Sequence, residues 1–427
     1  MRAGDRARTG ARPLPIALVP PAVTEDAARR ALERNLRILP WWWATRWIWL
    51  GEAIWVIYLT TERGLTLGEV LLFQAVYSAV VIAGEVPTGM MADRWGRRLS
   101  VILGSVVAVG AMLTFGLGHT IPILLVSYAM FSIADALFSG ADSAILFDTL
   151  KGLGRDAEFT RWQAREQVIG GASTGVYTLI GALMVRWVPL SVPFVVSGSL
   201  SVVGVVLAWR LVDPPREGER HYFTRIGVRA AREVLGRRTL LTAALLMALV
   251  TAAIQLMGVA QQPVFLSYGV PLWSLGLFVG VQLGFSAVSA AIADRLGRRI
   301  GLVMMFLSMP LIASVALLGG VGGVIWLYPI LIMPSLSWNV LWPYVSDYIA
   351  RRVDNHIRAT ALSVASVLVH LVSVAVLPLF GFAIDRRGID AGLAMASLGI
   401  AITSLLVFLV WWRAGDHVSA AAEAHPV

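Results

Sequence analysis

Apolar stretches of about 20 residues, the length a helix needs to cross a bilayer, recur along almost the whole chain. Only 14% of the 427 residues are charged, whereas soluble domains carry about 25%, and the mean hydropathy is +0.74. The sequence therefore predicts an all-α protein that crosses the membrane repeatedly. Twelve spans are predicted, near residues 40–60, 68–90, 99–118, 122–147, 164–186, 191–211, 240–266, 273–292, 300–319, 323–348, 360–384 and 391–412.

A polar stretch divides these spans into two groups of six. It contains Pro214, Pro215 and many arginines, and it has no apolar run of span length. The predicted organisation is a pair of six-helix halves joined by this stretch. The parts are a tail at 1–38, an N-terminal half at 39–212, a central loop at 213–238, a C-terminal half at 239–413 and a tail at 414–427.

Basic residues occupy alternate loops. The loops on one side hold most of the arginines, whereas the opposite loops hold only Arg63, Arg186, Arg386 and Arg387. The positive-inside rule then places both termini in the cytoplasm, at the plasma or inner membrane. The net charge of +9 follows from this topology, so we expect the lipid bilayer and not nucleic acid as a partner.

The residue types also exclude several kinds of chemistry. The chain has no cysteine, which excludes disulfides and thiolate metal sites. The spans show no metal-ligand spacing, no glycine-rich phosphate loop and no nucleophile–base set. We therefore expect no metal, no cofactor, no ATP-driven step and no enzyme activity.

A charged turn recurs about two hundred residues apart. Residues 89–98 read Gly-Met-Met-Ala-Asp-Arg-Trp-Gly-Arg-Arg, and residues 290–299 read Ala-Ala-Ile-Ala-Asp-Arg-Leu-Gly-Arg-Arg. Such a repeat predicts two homologous halves, as in many secondary transporters. A shorter copy runs from Gly381 to Gly388 after span eleven. For that copy, both a turn with solvated charges and a gate on the outer face remain open.

The chain resembles the major facilitator superfamily in three features: two groups of six spans, a central basic loop, and the charged turn at 89–98. The resemblance covers nearly the whole chain beyond residue 35. It implies a monomeric transporter that works by alternating access, with spans one, four, seven and ten around a central cavity. The chain departs from the drug/proton antiporter branches of that superfamily, because span four has no arginine and span five has no proline.

The charged turns are predicted to act as a latch at the cytoplasmic ends of the spans. Within the first half, Asp148 at the end of span four can pair with Arg97 or Arg98. Across the halves, the resemblance implies that Asp93 approaches Arg358. By the repeat, the counterparts are Asp347 with Arg298 or Arg299, and Asp294 with Arg165. The other residues of the predicted latch are Gly89, Arg94, Gly96, Arg295 and Gly297. The alternative is that these charges only fix the topology, in contact with solvent.

Four spans that should meet at the cavity each place a polar group near their middle. Ionisable residues within a span are costly, by at least a few kcal/mol, and are functional candidates by default. We predict that these groups line the cavity for substrate and protons: Glu52 in span one, Asp135 in span four, Gln255 in span seven, and Trp338 and Asn339 in span ten.

Two further charges belong to the same prediction. Asp142 follows Asp135 by seven residues, which places both on one face of a continuous helix, about 10 Å apart along its axis. Asp142 is then either a step in a proton relay or a helix-packing residue beside Gly140. Arg46, six residues before Glu52, is either a partner of that carboxylate or a separate charge of the cavity.

These features favour a secondary transporter that exports a small apolar or cationic organic molecule in exchange for protons. Aromatic walls with acids suit such a molecule. Proton-coupled uptake of a nutrient uses the same fold and the same acids and remains the alternative. A membrane sensor without transport is a third reading.

Overall fold

The computed structural model describes residues 21–214, 223–321, 328–354 and 357–414. Every regular element of these residues is helical. The helices are α1 (Pro21–Thr45), α2 (Trp55–Ile57, continued by a π-helical turn at Tyr58–Glu62), α3 (Leu67–Trp95), α4 (Arg97–Leu117), α5 (Ile121–Phe138), α6 (Ala141–Gly152), α7 (Phe159–Met184), α8 (Val192–Arg210), α9 (Phe223–Gly236), α10 (Arg238–Ser267), α11 (Leu275–Ala316), α12 (Tyr328–Leu331), α13 (Met333–Arg352), α14 (Arg358–Arg387) and α15 (Ile389–Arg413).

The helices account for the predicted spans. Nine helical stretches within the described ranges are long and apolar enough to cross a membrane, and one of them, Leu272–Gly320, contains both span eight and span nine. Span one is divided between α1 and α2, and span ten consists of α12 and α13, although its residues 323–327 lie outside the described part of the chain. The predicted all-α fold with twelve spans is confirmed.

Two segments that were expected to be tail or loop contain helix. The first helix begins at Pro21, within the predicted tail, and it runs without a break into span one. Asn35 is fully buried, where its side chain accepts a hydrogen bond from the Val212 backbone N–H at 2.9 Å and donates one to the Val212 carbonyl at 2.8 Å. This pairing fixes α1 to the end of span six. In the predicted central loop, α9 packs against α10 and α14.

Span four is not one helix. The prediction of a continuous helix over 122–147 is wrong at Ser139 and Gly140, where α5 ends and α6 begins. Gly140 has φ +73°, a left-handed conformation that suits glycine because it has no Cβ. Asp135 and Asp142 therefore lie on different helices, and a shared helix face no longer relates them.

The two copies of the charged turn also differ in structure. In the first copy, Gly96 has φ +114° and separates α3 from α4. In the second, Gly297 lies inside α11, with its backbone against the ring of Tyr344. The break in α11 occurs at Gly301, which has φ +74° and lies four residues further along. The sequence repeat therefore does not place equivalent glycines at equivalent turns.

The bundle has two distinct ends. We call the end that holds Arg97, Arg165, Arg298 and Arg351 the basic end, and the end that holds Thr66, Thr120 and Asp385 the far end. At each end, contacts join residues that are distant in the chain. Most helix pairs in contact lie within one half, but α3 packs most extensively on α14 and α7 on α11, both across the halves.

Candidate functional site

A cavity of about 470 Å³ opens within the N-terminal half. Its walls come from spans one to five, and most of the side chains are aromatic. Among the lining residues two are acidic and none is basic. They are Trp47, Trp49, Glu52, Trp55, Gln74, Tyr77, Phe115, Tyr128, Phe131, Asp135 and Thr174.

The break in span one places several of these side chains in the cavity. Residues 46–54 are not helical, and Trp47 and Trp49 both line the cavity. In an α-helix, each residue is rotated by about 100° from the one before it. Residues two apart therefore point to nearly opposite sides and could not both face one cavity. The Trp49 ring lies 5.2 Å from the Phe131 ring, and the Trp47 ring lies 6.0 Å from it. The non-helical backbone thus builds an aromatic wall that a continuous helix could not.

The non-helical stretch is held by close contacts with spans five and six. The Leu50 N–H donates a hydrogen bond to the Ser197 hydroxyl at 3.0 Å. The Leu50 carbonyl rests against Gly181 and Gly51 rests against the Phe194 ring, so closely that a Cβ at either glycine would collide. Backbone groups without partners are costly inside a membrane, which is why irregular backbone there must be buried in protein or line a cavity.

The two acids of the cavity lie in different surroundings. The Tyr77 hydroxyl donates a hydrogen bond to Asp135, and the Ser132 hydroxyl holds the Tyr77 backbone carbonyl at 3.0 Å. Glu52 belongs to the non-helical stretch and lies within reach of the Trp49 side chain. Both carboxyl groups are partly buried. The structure therefore brings together Glu52 and Asp135, as the sequence predicts.

Arg46 and Asp142 form a separate cluster outside the cavity lining. The Arg46 guanidinium binds Asp142 at 2.5 Å and Glu166 at 2.9 Å, and the three side chains are only 21%, 12% and 12% exposed. This cluster joins spans one, four and five. Glu166 is not among the predicted partners of Arg46, since it lies 120 residues away in the chain and no local pattern relates the two.

The predicted cavity residues of the C-terminal half do not line this cavity. Trp338 stacks on Trp342, with ring centroids 5.9 Å apart. The Asn339 amide donates hydrogen bonds to the Ser286 hydroxyl and, at 3.0 Å, to the Ser335 carbonyl. The side-chain oxygen of Gln255 is buried without a hydrogen-bond partner among the described residues.

At the basic end, one predicted pair of the latch is formed within the N-terminal half. The Arg97 guanidinium binds Asp148, and it also donates to the Ala144 carbonyl at 3.0 Å. Arg98 instead binds the end of span six, where its backbone N–H donates to Asp213 at 2.9 Å.

The other predicted pairs have different partners in this structure. Asp294 binds Arg298 at 2.6 Å, and Asp347 binds Arg351 at 2.7 Å. Arg165 lies over the Trp162 ring, 4.7 Å from its centroid. The side chains of Asp294 and Asp347 are 70% and 57% exposed, so they face solvent here.

The remaining residues of the predicted latch have different surroundings. The Arg358 side chain donates a hydrogen bond to the Ala350 carbonyl at 2.9 Å. The side chain of Asp93 lies outside the described part of the chain. Gly96 and Gly297 are buried, whereas the other positions are exposed: Gly89, Arg94, Arg295 and Arg299.

The third copy of the turn joins the two halves at the far end. Asp385, at the end of α14, accepts hydrogen bonds from the Thr66 hydroxyl at 2.7 Å and from the Gly68 N–H at 3.0 Å. Thr66 is the N-cap residue of α3, so the carboxylate lies at the N-terminus of that helix. Gly68 and Gly381 let the two backbones approach, because a Cβ on Gly381 would lie 2.8 Å from the Gly68 Cα.

Among the described residues, no group of three or more histidine, aspartate or glutamate side chains has the arrangement of a metal site. The arrangement that the structure does show is an acidic, aromatic cavity between helices, with a cross-half contact at one end of the bundle. Such a site can bind a small molecule, and its carboxyl groups can take up and release protons.

Comparisons with known proteins identify a matching family and solved structures of similar fold. A sequence model of the Major Facilitator Superfamily matches residues 48–377. No curated protein sequence matches the chain significantly. The fold is similar to a point variant of the nucleoside transporter NupG, with TM-score 0.71, 14% identity, 90% of this chain and 100% of that chain covered.

Two other solved structures have the same fold. One is a POT family transporter in complex with 5-aminolevulinic acid, with TM-score 0.70, 12% identity, and 90% and 97% of the two chains covered. The other is a bacterial homologue of the human lysosomal transporter Spinster, in an inward-facing and unoccupied conformation, with TM-score 0.70, 14% identity, and 94% and 99% covered.

Proposed function

This chain belongs to the major facilitator superfamily and is a membrane transporter, and on that premise we propose that it exports an organic cation in exchange for protons. The observation that carries the proposal is the cavity in the N-terminal half. Its lining has two carboxyl groups, no basic side chain, and seven aromatic residues. Aromatic faces attract cations, and a carboxylate adds a full opposite charge.

The cavity also has a suitable size and position for a small molecule. Binding sites for such ligands commonly have volumes of about 300–1,000 Å³ and lie between the helices of bundles. The cavity of about 470 Å³ falls in this range. Its only acidic groups are those of Glu52 and Asp135, and aromatic side chains make up most of the remaining lining, so a substrate with one positive charge on a largely apolar body would match it.

Competition between substrate and protons supplies the coupling in this proposal. A carboxylate binds a cation only when it is ionised, so a proton on Asp135 or Glu52 and a bound cation exclude each other. Protons that arrive from one side would displace the cation, and cation binding from the other side would displace the proton. Substrate affinity should therefore fall as the pH falls.

Alternating access requires a closed and an open state at each end. We propose that the basic end faces the cytoplasm, as the positive-inside rule expects. Asp385, Thr66 and Gly68 then close the outer end in this structure. At the inner end, the exposed Asp294 is available to pair with Arg165 of the other half when that end closes.

The proposal is tested by binding of tetraphenylphosphonium, a lipophilic cation, to the purified protein over a series of pH values. We expect binding at mildly alkaline pH that weakens on acidification. Asp135→Asn removes one charge at a distance of a few ångströms, which is worth about 2 kcal/mol or about 30-fold in affinity. Asp156→Asn, an exposed loop carboxylate, is the matched control. Equal binding by wild type and Asp135→Asn at every pH would refute the assignment.

Proton-coupled uptake remains a second candidate, because the solved structures of similar fold include a nucleoside transporter and a POT family transporter with 5-aminolevulinic acid. Binding of a neutral nucleoside or of an amino acid that strengthens on acidification would favour uptake. Binding of these ligands and of tetraphenylphosphonium to the wild type, measured over the same series of pH values, therefore separates the two candidates.

A further inference from the structure

Span one restarts as a helix at Trp55, and the first N–H groups of a helix have no partner within it. They are usually bonded by a side chain of the residue just before the helix. Here that residue is Ile54, which has no hydrogen-bonding side chain. The start of the helix lies deep in the protein, where Val56 and Ile57 are buried. Their N–H groups therefore need an acceptor from elsewhere in the chain.

Gln262, on α10 of the other half, supplies this acceptor. Its side-chain oxygen lies 3.0 Å from the Val56 nitrogen and 3.4 Å from the Ile57 nitrogen. Its amide nitrogen donates to the Glu52 carbonyl at 3.0 Å. The side chain is only 2% exposed. One residue of the C-terminal half thus bonds three backbone groups of the break in span one.

We propose that Gln262 is a positioning residue that caps the restarted helix of span one across the two halves and thereby holds Glu52 in the cavity. Glutamine fits this role because its amide group has both an acceptor and donors. Leucine has neither, and an ionised glutamate has no donor. The importance of Glu52 for substrate rests on the proposed function, whereas the cap itself does not.

The cap also depends on the relative position of the halves. Residues 52–57 belong to the N-terminal half and Gln262 belongs to the C-terminal half, and both lie toward the far end, where Asp385 joins α14 to α3. When the halves separate at that end, the Gln262 side chain must leave the Val56 and Ile57 N–H groups. The position of Glu52 is then controlled by the state of the far end. This gives a physical link between gating and the cavity.

Hydrogen exchange of the apo protein tests the cap directly. Peptides that cover residues 53–60 should exchange slowly in the wild type and about tenfold faster in Gln262→Leu, because buried N–H groups lose their acceptor. Gln261→Leu, at the adjacent position of the same helix, is the matched control. Asp385→Ala, which removes the acceptor of the Thr66 and Gly68 hydrogen bonds and is expected to open the far end, should also accelerate exchange in these peptides. Exchange in Gln262→Leu that equals that of Gln261→Leu would overturn the proposal, and so would an equal acceleration in all spans.

Gln262→Glu gives a second test that does not depend on the leucine variant folding. A protonated glutamate again has one donor and an acceptor, whereas an ionised one has no donor. Protection at residues 53–60, measured relative to the intrinsic exchange rate at each pH and to the wild type, should therefore return on acidification. Glu52 and Tyr58, the ionisable residues that flank the capped positions in the chain, are unchanged in both proteins. Protection of Gln262→Glu relative to the wild type that is the same at every pH would contradict the cap.

Cation binding separates this inference from the proposed function. If wild type binds tetraphenylphosphonium, Gln262→Leu should weaken binding about fivefold and shift its pH midpoint, because Glu52 is no longer held. Binding that is unchanged, together with unchanged exchange, refutes the cap and leaves the proposed function intact. If wild type binds no cation, the proposed function fails, and the exchange measurement still decides whether Gln262 caps span one.

Discussion

Loss of the Asp385 carboxylate should open the far end. The carboxylate accepts two hydrogen bonds from the other half, one from Thr66 and one from Gly68, at the N-terminus of α3. Asp385 and Thr66 are exposed, so each hydrogen bond is worth only about 0.5–1 kcal/mol, the lower part of the usual range. The helix N-terminus adds roughly 0.3–1 kcal/mol for a negative charge. The sum is about 2 kcal/mol, which shifts a two-state equilibrium by about 30-fold.

Distances between spin labels measure this shift. The chain has no cysteine, so labels attach only at introduced positions. Labels at Thr120 and Asp390 report on the far end, and labels at Ala157 and Leu235 report on the basic end; all four positions are exposed. Asp385→Ala should lengthen the far-end distance and shorten the basic-end distance.

Two control variants sharpen the result. Asp385→Asn keeps a neutral acceptor and should give a smaller shift. Arg387→Ala, two residues away on the same helix, should give none. Distance distributions of Asp385→Ala that match those of the wild type at both ends would refute the argument that this carboxylate holds the far end closed.

Three further predictions concern packing. Arg46→Leu leaves the Asp142 and Glu166 carboxylates without their cation, which should cost about 2–4 kcal/mol and lower the thermal unfolding temperature in detergent; an unchanged temperature would contradict the cluster. Gly140→Ala forces a residue with a Cβ into a left-handed conformation and should lower the stability by about 1–2 kcal/mol in the same assay. Unchanged stability of Gly140→Ala would contradict the positive φ at this residue. Gly381→Val places a side chain against α3 and should keep the far end open, as far-end label distances would show; a closed far end would contradict the close approach of the helices.

The membrane spans and their division into two halves could be predicted from the sequence because they depend on local composition. A bilayer requires about 20 apolar residues per helix, and this requirement is visible without tertiary contacts. Glu52 and Asp135 could be predicted as site residues for a similar reason, because an ionisable residue in an apolar span is costly and is a functional candidate by default. Both residues line one cavity in this structure, and their role in binding substrate and protons stays a prediction.

The breaks in spans one and four depend on distant residues. Residues 46–54 are apolar enough for a helix, and their irregular backbone is stabilised by Ser197 and Gln262, which are about 150 and 210 positions away in sequence. One local signal existed. Gly51 lies in the middle of the span, and glycine is a poor helix former.

The shift of the second turn from Gly297 to Gly301 shows a different limit. The two ten-residue segments are similar in sequence, but this similarity does not determine which glycine has a positive φ. Gly297 instead lies against the ring of Tyr344, whose hydroxyl group lies 3.3 Å from the Asp294 carbonyl. A glycine in a repeat can serve a close contact in one half and a turn in the other.

Proton release on cation binding tests the central claim most directly. Calorimetric titration with tetraphenylphosphonium, repeated in buffers of different ionisation enthalpy, counts the protons exchanged with the buffer. The account predicts that protons are released as the cation binds and that the release is lost in Asp135→Asn. Binding without proton exchange, or with proton uptake, would contradict competition between cation and proton in the acidic aromatic cavity.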